Sequence, residues 1–409
     1  MSSTNPKLYG LGTLDFQLET TFGSAATGSM SPLRLVEPID RSSLTWEAIE
    51  HVYVRSGLTT VPPIAGARNG TLTAKVYVHG SSTSDPSGGP TFYTNPVTQF
   101  IAQALGNATA GGYTDSETGS TTGTFKATDL SQFTKGQGCV WNTASDGSQM
   151  GWMSEIDTGA TPDEATMSQT AVSTPTGNKI FGSATAYLTD GLDWNDGGKN
   201  SWTLKYTDHE SVETTAVGCQ VSGLRIEMEP RGLITMEIDF SVAGWSEATG
   251  GSPQPYEWNY ANPQAWTSAR IAYGASAGST IRVSSMSFDA GLELVENVNP
   301  NASEGIGSFS VVQRQPTLEF SVFRQLDQWP ARFENPDAVA KFSMVAGTSA
   351  SQMFGIYFGQ AHVLEFPSAE DQEGRIGTTV KLAAGENYSD VGGGGETGLQ
   401  NTDCRISIT

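Results

Sequence analysis

The chain has 409 residues, a length that usually divides into two or three domains, and 37% of it is hydrophobic, which excludes disorder throughout. Its 47 Gly and 19 Pro follow no fixed period, which excludes a collagen-like chain and points to short strands joined by turns. Forty-three acidic residues against 22 basic ones leave a net charge of −21, and no Lys/Arg cluster of the kind that grips phosphates is present.

Residues Met1 to Lys7 lack the apolar stretch of a secretory signal, and no window reaches the ~18–20 apolar residues of a membrane span. A soluble product of a reducing cytoplasm, with no membrane insertion, is therefore expected. The first element with a clear period is Arg68 to Val78, where Leu72, Ala74, Val76 and Val78 alternate with polar residues as in a half-buried strand. A polar arm follows at Ser81 to Gly89. Asn95 to Gly106 then reads as a short helix, with Asn at the cap, Pro in first position, Gly past the end, and Val97, Phe100, Ile101 and Ala104 on one face.

Residues 111–200 are rich in Gly, Ser, Thr and Asp, with candidate strands near Gly138 to Trp141 and Phe181 to Leu188. They read as an insertion in the first domain. Val221 to Glu229 and Leu233 to Val242 form an expected strand pair around the turn Pro230-Arg231-Gly232. Trp245 to Ala269, with three prolines, reads as a linker.

The second part repeats the first in the same order. Arg314 to Phe323 matches Arg68 to Val78, with Leu318, Phe320 and Val322 on one side. Asn335 to Gly347 matches the helix, with Val339, Phe342 and Val345 as its apolar face. Ala361 to Phe366 and Ile376 to Leu382 match the strand pair, and Arg405 to Ile408 reads as a last strand after a Gly392–Gly395 loop. The expected organisation is a first domain over residues 1–250 with its insertion at about 111–200, a linker over 251–270, and a second domain over 271–409.

On these segments the sequence resembles the tail tube proteins (major tail proteins) of long-tailed bacteriophages, of the duplicated-domain type. Besides Arg68 to Val78 and Asn95 to Gly106, the stretch Asn299 to Gly307 running into Val311 to Thr317 carries the likeness. It spans most of residues 8–110 and 213–409 and leaves the insertion unaccounted for. The resemblance implies an all-β fold with a few short helices: two tandem β-sandwich domains, each flanked by a short helix, giving strands to a barrel shared between subunits. It implies a structural virion protein whose copies form stacked rings, three subunits per ring with pseudo-six-fold symmetry, around a channel for DNA. Its implied partners are further copies, a tape measure protein inside, terminator and distal tail proteins at the ends, and viral DNA that passes without specific binding.

The strand pair has the pattern such a channel needs. One side of Ile234 to Val242 is apolar, and the other holds Thr235, Glu237, Asp239 and Ser241; Leu224, Ile226 and Met228 alternate with Arg225, Glu227 and Glu229. Glu227, Glu229, Glu237, Asp239 and, in the second copy, Glu319 are the candidate lumen-facing carboxylates; the alternative is an ordinary solvated outer face. An acidic wall repels the phosphates that a basic wall would hold. Ser82, Thr83, Ser84, Asp85, Pro86, Ser87 and Gly88 are the candidate arm to the next ring.

Catalytic and metal signatures are sparse. His51, His79, His209 and His362 are scattered, and Cys139, Cys219 and Cys404 form no CxxC pair. The string Gly274-Ala275-Ser276-Ala277-Gly278 lacks the strand-then-helix setting of a nucleophile elbow, because Thr280 to Val283 reads as strand. Asp193 to Gly198 has Leu204 where a calcium loop places its bidentate Glu. No enzyme activity, cofactor or metal is expected. A rival reading is a carbohydrate- or receptor-binding β-sandwich of the tail tip, using Trp194, Trp202, Trp258 and Trp266; a β-rich hydrolase comes third.

Overall fold

The computed structural model describes residues 12–33, 35–49, 64–80, 96–109, 112–143, 147–169, 171, 173–175, 179–188, 201–208, 211–251, 265–266, 269–274, 283–302, 304–323, 340–349, 352–365, 369–372, 375–385 and 403–409. Among these residues the chain is all-β apart from one helix, Pro96–Leu105. Every strand pairing is antiparallel, as expected where short connections link neighbouring strands.

The centre of the molecule is an inner sheet that curls as a half-barrel. Its strands lie in the order Ile64–Tyr77, Thr235–Val242, Val212–Met228, Val283–Asp289, Thr317–Phe323 and Arg375–Gly385. Residues 35–40 flank the first of these through bridges Leu35·Val76 and Asp40·Thr73, and Ala369–Gln372 flanks the last. One face is apolar throughout. Leu72, Ala74 and Val76, then Met236, Ile238 and Phe240, then Leu224, Ile226 and Met228 are buried there, followed by Met286, Phe288, Leu318, Phe320, Val380 and Leu382. Strict alternation makes each strand half apolar and half polar, so the register fixes which set faces the core.

Two outer sheets grow from the ends of long strands. The first part of Val212–Met228 pairs with Trp202–Thr207 and Gly244–Thr249, and Trp202–Thr207 leads on to Thr13–Leu18 and Ser31–Leu33. The strand changes sheets near Gly218, whose φ of 61° and closeness to Ala243 and Phe22 leave no room for a side chain. In the second outer sheet the order is Gly106–Thr109, Ala184–Leu188, Cys404–Ile408, Gln352–Val363, Ala340–Ser349 and Arg270–Tyr273. The helix closes the first half of the core, with Val97, Phe100, Ile101 and Ala104 buried as the sequence predicts. Phe100 packs on Phe16, Trp202 and Phe240, while Phe342 packs on Phe320 and Phe358 in the second half.

The expected second helix is absent. Ala340–Ser349 is a strand, and Phe342, Met344 and Ala346 are buried on one side of it. The run Lys341 to Ala346 fits period two as well as period 3.6, and pairing with Arg270–Tyr273 and Gln352–Val363 on both sides decides for strand. Residues 335–339 lie outside the described residues. The proposed linker begins later than Trp245, because Gly244–Thr249 is a paired strand; residues 252–264 of it are outside the description. The single strand expected at Phe181 to Leu188 is two, Lys179–Gly182 and Ala184–Leu188, divided at Ser183.

Residues 113–182 form a six-stranded sheet in the order Tyr113–Asp115, Lys179–Gly182, Gly138–Thr143, Gly147–Asp157, Asp163–Met167 and Thr124–Ala127. A Ser116·Ala127 bridge, with Glu117 N–H donating to the Lys126 carbonyl at 2.8 Å, joins its last strand to its first and closes a small barrel. The barrel has its own core of Phe125, Leu130, Cys139, Trp141, Met153, Met167 and Ile180, with Phe125 edge-on to Trp141 at 4.6 Å. It docks on the second outer sheet, where Trp152 stacks on Tyr357 at 5.0 Å and donates to Ser407 Oγ at 3.0 Å. Lys341 Nζ donates to the Ser168 carbonyl at 2.7 Å.

A ribbon, Leu292–Val298 with Ile306–Arg314, projects from the inner sheet. At its base Gly291 takes φ 60° against the Gln315 backbone, where a Cβ would collide. Ile306 and Phe309 pack with Ala243, and Glu304 Oε2 accepts from the Arg68 N–H at 2.9 Å. Val295, Val298 and Val312 stay exposed, Val298 at 77%.

Candidate functional site: the polar face of the inner sheet

The apolar face of the inner sheet dictates what the other face holds. Opposite Leu72, Ala74 and Val76 stand Thr73, Lys75 and Tyr77; opposite Met236 and Ile238 stand Thr235, Glu237 and Asp239. Continuing across the sheet, the same face takes Arg225 and Glu227, then Ser285, Ser287 and Asp289, then Thr317, Glu319 and Ser321, then Thr379 and Lys381.

Four of the five carboxylates singled out in the sequence, Glu227, Glu237, Asp239 and Glu319, therefore share this face within the strands. Glu229 follows the last residue of Val212–Met228, exposed, and its carbonyl accepts from Gly232 N–H at 2.9 Å in the turn that returns the chain. Asp289 joins them, a residue that the sequence reading missed because its strand went unrecognised. So do three cations. Lys75 and Arg225 were visible in the alternation, but nothing local placed them against acids from other strands.

The register sets the charges in a row: Lys75 opposite Glu237, Glu237 opposite Arg225, Arg225 opposite Asp289. Arg225 Nη1 lies 3.6 Å from Glu237 Oε1 and its Nη2 lies 3.5 Å from Asp289 Oδ2. Lys75 Nζ reaches diagonally to Glu227 Oε2 at 2.9 Å. That hydrogen bond holds the Lys75 ammonium above its ordinary pKa, and the charges of Glu227, Glu37 and Glu237 add to it against partial burial. Glu319 stands between Ser287 and Lys381, whose Nζ lies 3.4 Å from Glu365. Thr73 Oγ1 donates to Asp239 Oδ1.

Five carboxylates (Glu227, Glu237, Asp239, Asp289 and Glu319) against Lys75, Arg225 and Lys381 leave the strand residues of this face with an excess of two negative charges. It is a mixed surface with an acidic balance, in which Lys75 and Arg225 are each paired with carboxylates. Such partly exposed pairs contribute only ~0–1 kcal/mol each. What they set is the net charge that this face presents.

The other candidates fall elsewhere. The arm from Ser82 to Gly88 lies outside the described residues, as do His51, His209, Trp194, Trp258, the Asp193 to Gly198 segment and residues 275–278 of the serine string. Trp202 and Trp266 are buried core residues, which removes them from any glycan-stacking surface. Trp202 Nε1 donates to Gln103 Oε1 at 2.6 Å. Cys139, Cys219 and Cys404 are buried free thiols whose pKa burial pushes up, the opposite of a reactive cysteine. Among the described residues no group of His, Cys, Asp or Glu is arranged to hold a metal ion, and no helix is long and apolar enough to cross a membrane.

No protein-family model matches the chain, and no curated protein sequence matches it.

Proposed function

We propose that the chain is the subunit of the tail tube of a long-tailed bacteriophage, a structural virion protein whose copies join edge to edge into rings around a channel lined by the polar face of the inner sheet. The observation that carries this reading is the repeated strand order across that sheet.

In spatial order, each half supplies the same series. An outermost segment comes first, residues 35–40 with their bridges Leu35·Val76 and Asp40·Thr73 in one half and the strand Val283–Asp289 in the other. It runs into a ribbon, Thr45–Ile49 paired with residues 64–69 and Leu292–Val298 paired with Ile306–Arg314. The ribbon's second strand leads into the alternating strand, residues 70–77 and Thr317–Phe323, which pairs with Thr235–Val242 and Arg375–Gly385 respectively. The last member is the end of Val212–Met228 in one half. In the other it is the end of Gln352–Val363, continued by Ala369–Gln372. In this reading residues 1–250 and 271–409 are two copies of one tail-tube unit, and the barrel of residues 113–182 is a guest in the first.

Within the inner sheet the two units meet where Arg225, Ile226, Glu227 and Met228 pair with Asp289, Phe288, Ser287 and Met286, while in the second outer sheet Ala184, Thr185, Ala186 and Tyr187 pair with Ile408, Ser407, Ile406 and Arg405. A sheet that joins one unit to the next in this way, and whose outermost segments pair on one side only among the described residues, can extend by a like joint to another copy. Three chains then supply six units, the pseudo-six-fold ring that the family resemblance implies. Duplex DNA carries about one negative charge per 1.7 Å. A lining with a net negative balance leaves it few contacts, which suits passage rather than binding. The tail-tip alternative receives no support from Trp202 and Trp266.

Negative-stain microscopy of the purified chain tests the proposal. Hollow tubes or stacked rings are the expected result. A chain that stays monomeric at every concentration and salt would end it.

A further inference from the structure

We propose that the seam between two copies of this chain, unlike the seam inside it, is held apart by like charge, so that free copies join only when that repulsion is screened. This inference rests on the tube reading and adds a control to it.

The internal seam shows what a complementary joint looks like. Arg225 stands across from Asp289 and lies within 3.5 Å of it, while Ile226 faces Phe288 and Met228 faces Met286 on the core side. The outer edges that the same joint would bring together have another composition. One is residues 35–40, bridged to the inner sheet on one side only among the described residues, and its ionisable residues are Glu37 and Asp40. The other runs through residues 362–365 and Ala369–Gln372. It pairs inward with Arg375–Gly385 and has Glu365, Glu370 and Asp371.

Five acidic residues thus belong to the two edges by sequence and register, and neither edge has a lysine or arginine among these residues. The bases begin one strand further in, at Lys75, Lys381 and Arg375, or beyond the edge, at Arg41. Lys75 is bonded to Glu227, Lys381 lies near Glu365, and Arg41 lies 3.4 Å from Asp208 and 3.7 Å from Glu247. Arg34, next to the first edge in sequence, is outside the described residues. Like charges facing each other on neighbouring strands oppose pairing, and the effect weakens as salt shortens the screening length. The partner that fits these edges is a second copy of the chain, because the internal seam joins the segments that hold the corresponding places in the two halves. The −21 net charge of each copy adds a general repulsion, which the test must separate from the local one.

The test uses the full chain, its oligomeric state measured by mass photometry and sedimentation velocity. Raising sodium chloride from about 50 mM to about 0.5 M is expected to lower the half-assembly concentration of the wild type roughly tenfold. The double variant Glu370→Lys/Asp371→Lys is expected to assemble at low salt, and adding Glu37→Lys to it is expected to reverse that gain. The milder Glu370→Gln/Asp371→Asn should shift assembly in the same direction as the lysine pair. Glu155→Lys, on the inserted barrel, changes net charge equally per residue and should leave the concentration within about twofold. Assembly that is equal at both salts and indifferent to Glu370 and Asp371 overturns the proposal and leaves the tube reading standing. An equal gain from Glu155→Lys also overturns it, since the repulsion would then be general. Absence of any ring in every variant at every salt removes the tube reading along with it.

Discussion

In the inserted barrel the last strand returns to pair with the first, and none of its described residues is a large hydrophobic side chain left exposed. The inner sheet and its outgrowths differ on both counts. Among the described residues the inner sheet's outermost segments, 35–40 and Ala369–Gln372, pair on one side only, and Leu18, Trp46, Ile49, Leu233, Val295, Val298, Val312 and Leu364 are exposed on the main body and its ribbons. A closed barrel of about 70 residues buries what it needs within itself. On the tube reading proposed above, the two regions of one polypeptide serve different ends: the barrel is finished by folding, and the half-barrel would be finished by association with further copies.

The largest effects should come from emptying the two cores, and they should part company in assembly. Trp141→Ala and Phe342→Ala each remove a fully buried ring, at a cost of about 3–5 kcal/mol in urea unfolding followed by circular dichroism. Trp141 touches the barrel core and donates to the Ser173 carbonyl at 3.1 Å, so its loss should spare ring formation. Phe342 supports the inner sheet through Phe320 and Phe358, and its loss should abolish rings. Rings lost equally in both variants would show that the barrel's role is not confined to itself.

A second contrast lies in buried charge. Among the described residues, the buried acids and bases Asp15, Glu19, His79 and Arg405 all belong to the main body, and the barrel core holds none of its own. Glu19 is fully served: it accepts from Ser201 Oγ, Thr203 Oγ1 and the backbone N–H groups of Gly23 and Gly218. Asp15 is not so well placed. Burial raises its pKa above the ordinary 3.8, Lys205 pulls it back, and Glu213 pushes it further up. A carboxyl raised in the folded state holds its proton more tightly folded than unfolded. Its contribution to stability is therefore complete below its unfolded pKa and is lost as pH climbs through the folded one. Asp15→Asn should flatten the fall in the main body's urea midpoint as pH rises above the ordinary carboxyl value, and leave the barrel unchanged. An unaltered pH profile would show that the Lys205 attraction balances the burial.

What the sequence disclosed follows the same division. The alternation at Leu72, Ala74 and Val76, at Met236, Ile238 and Phe240, and at Leu318, Phe320 and Val322 gave the core face of three inner strands directly, because a half-buried strand writes its period into the residues. Pro96 and Gly106 marked the helix ends, and Gly106 takes the positive φ of 108° expected past a helix. The barrel was not legible as a barrel. Its strands at Tyr113–Asp115, Thr124–Ala127 and Lys179–Gly182 are three or four residues long, too short to show a period, and the first of them pairs with the last, far along the sequence. The acids of the candidate site were legible one by one. Their grouping with Asp289, and the cations threaded among them, depended on which strand lies beside which, and no local pattern carries that.

The smallest effect is expected at the internal seam, and it bears most directly on the comparison. Arg225 is the cation between Glu237 and Asp289, but its side chain is about half exposed, and water and salt weaken both attractions. Arg225→Gln should therefore lower stability by no more than ~1 kcal/mol, since the apolar pairing of Ile226 with Phe288 and Met228 with Met286 remains on the core side. Its visible consequence should be local: faster hydrogen exchange at the Ile226 and Phe288 amides, restored by salt, with the barrel amides untouched. A loss of several kcal/mol would mean that charge and not apolar contact holds the two halves together. In that case an acidic seam between copies could not close by screening alone, because nothing beneath the charges would draw the strands together once the repulsion was gone.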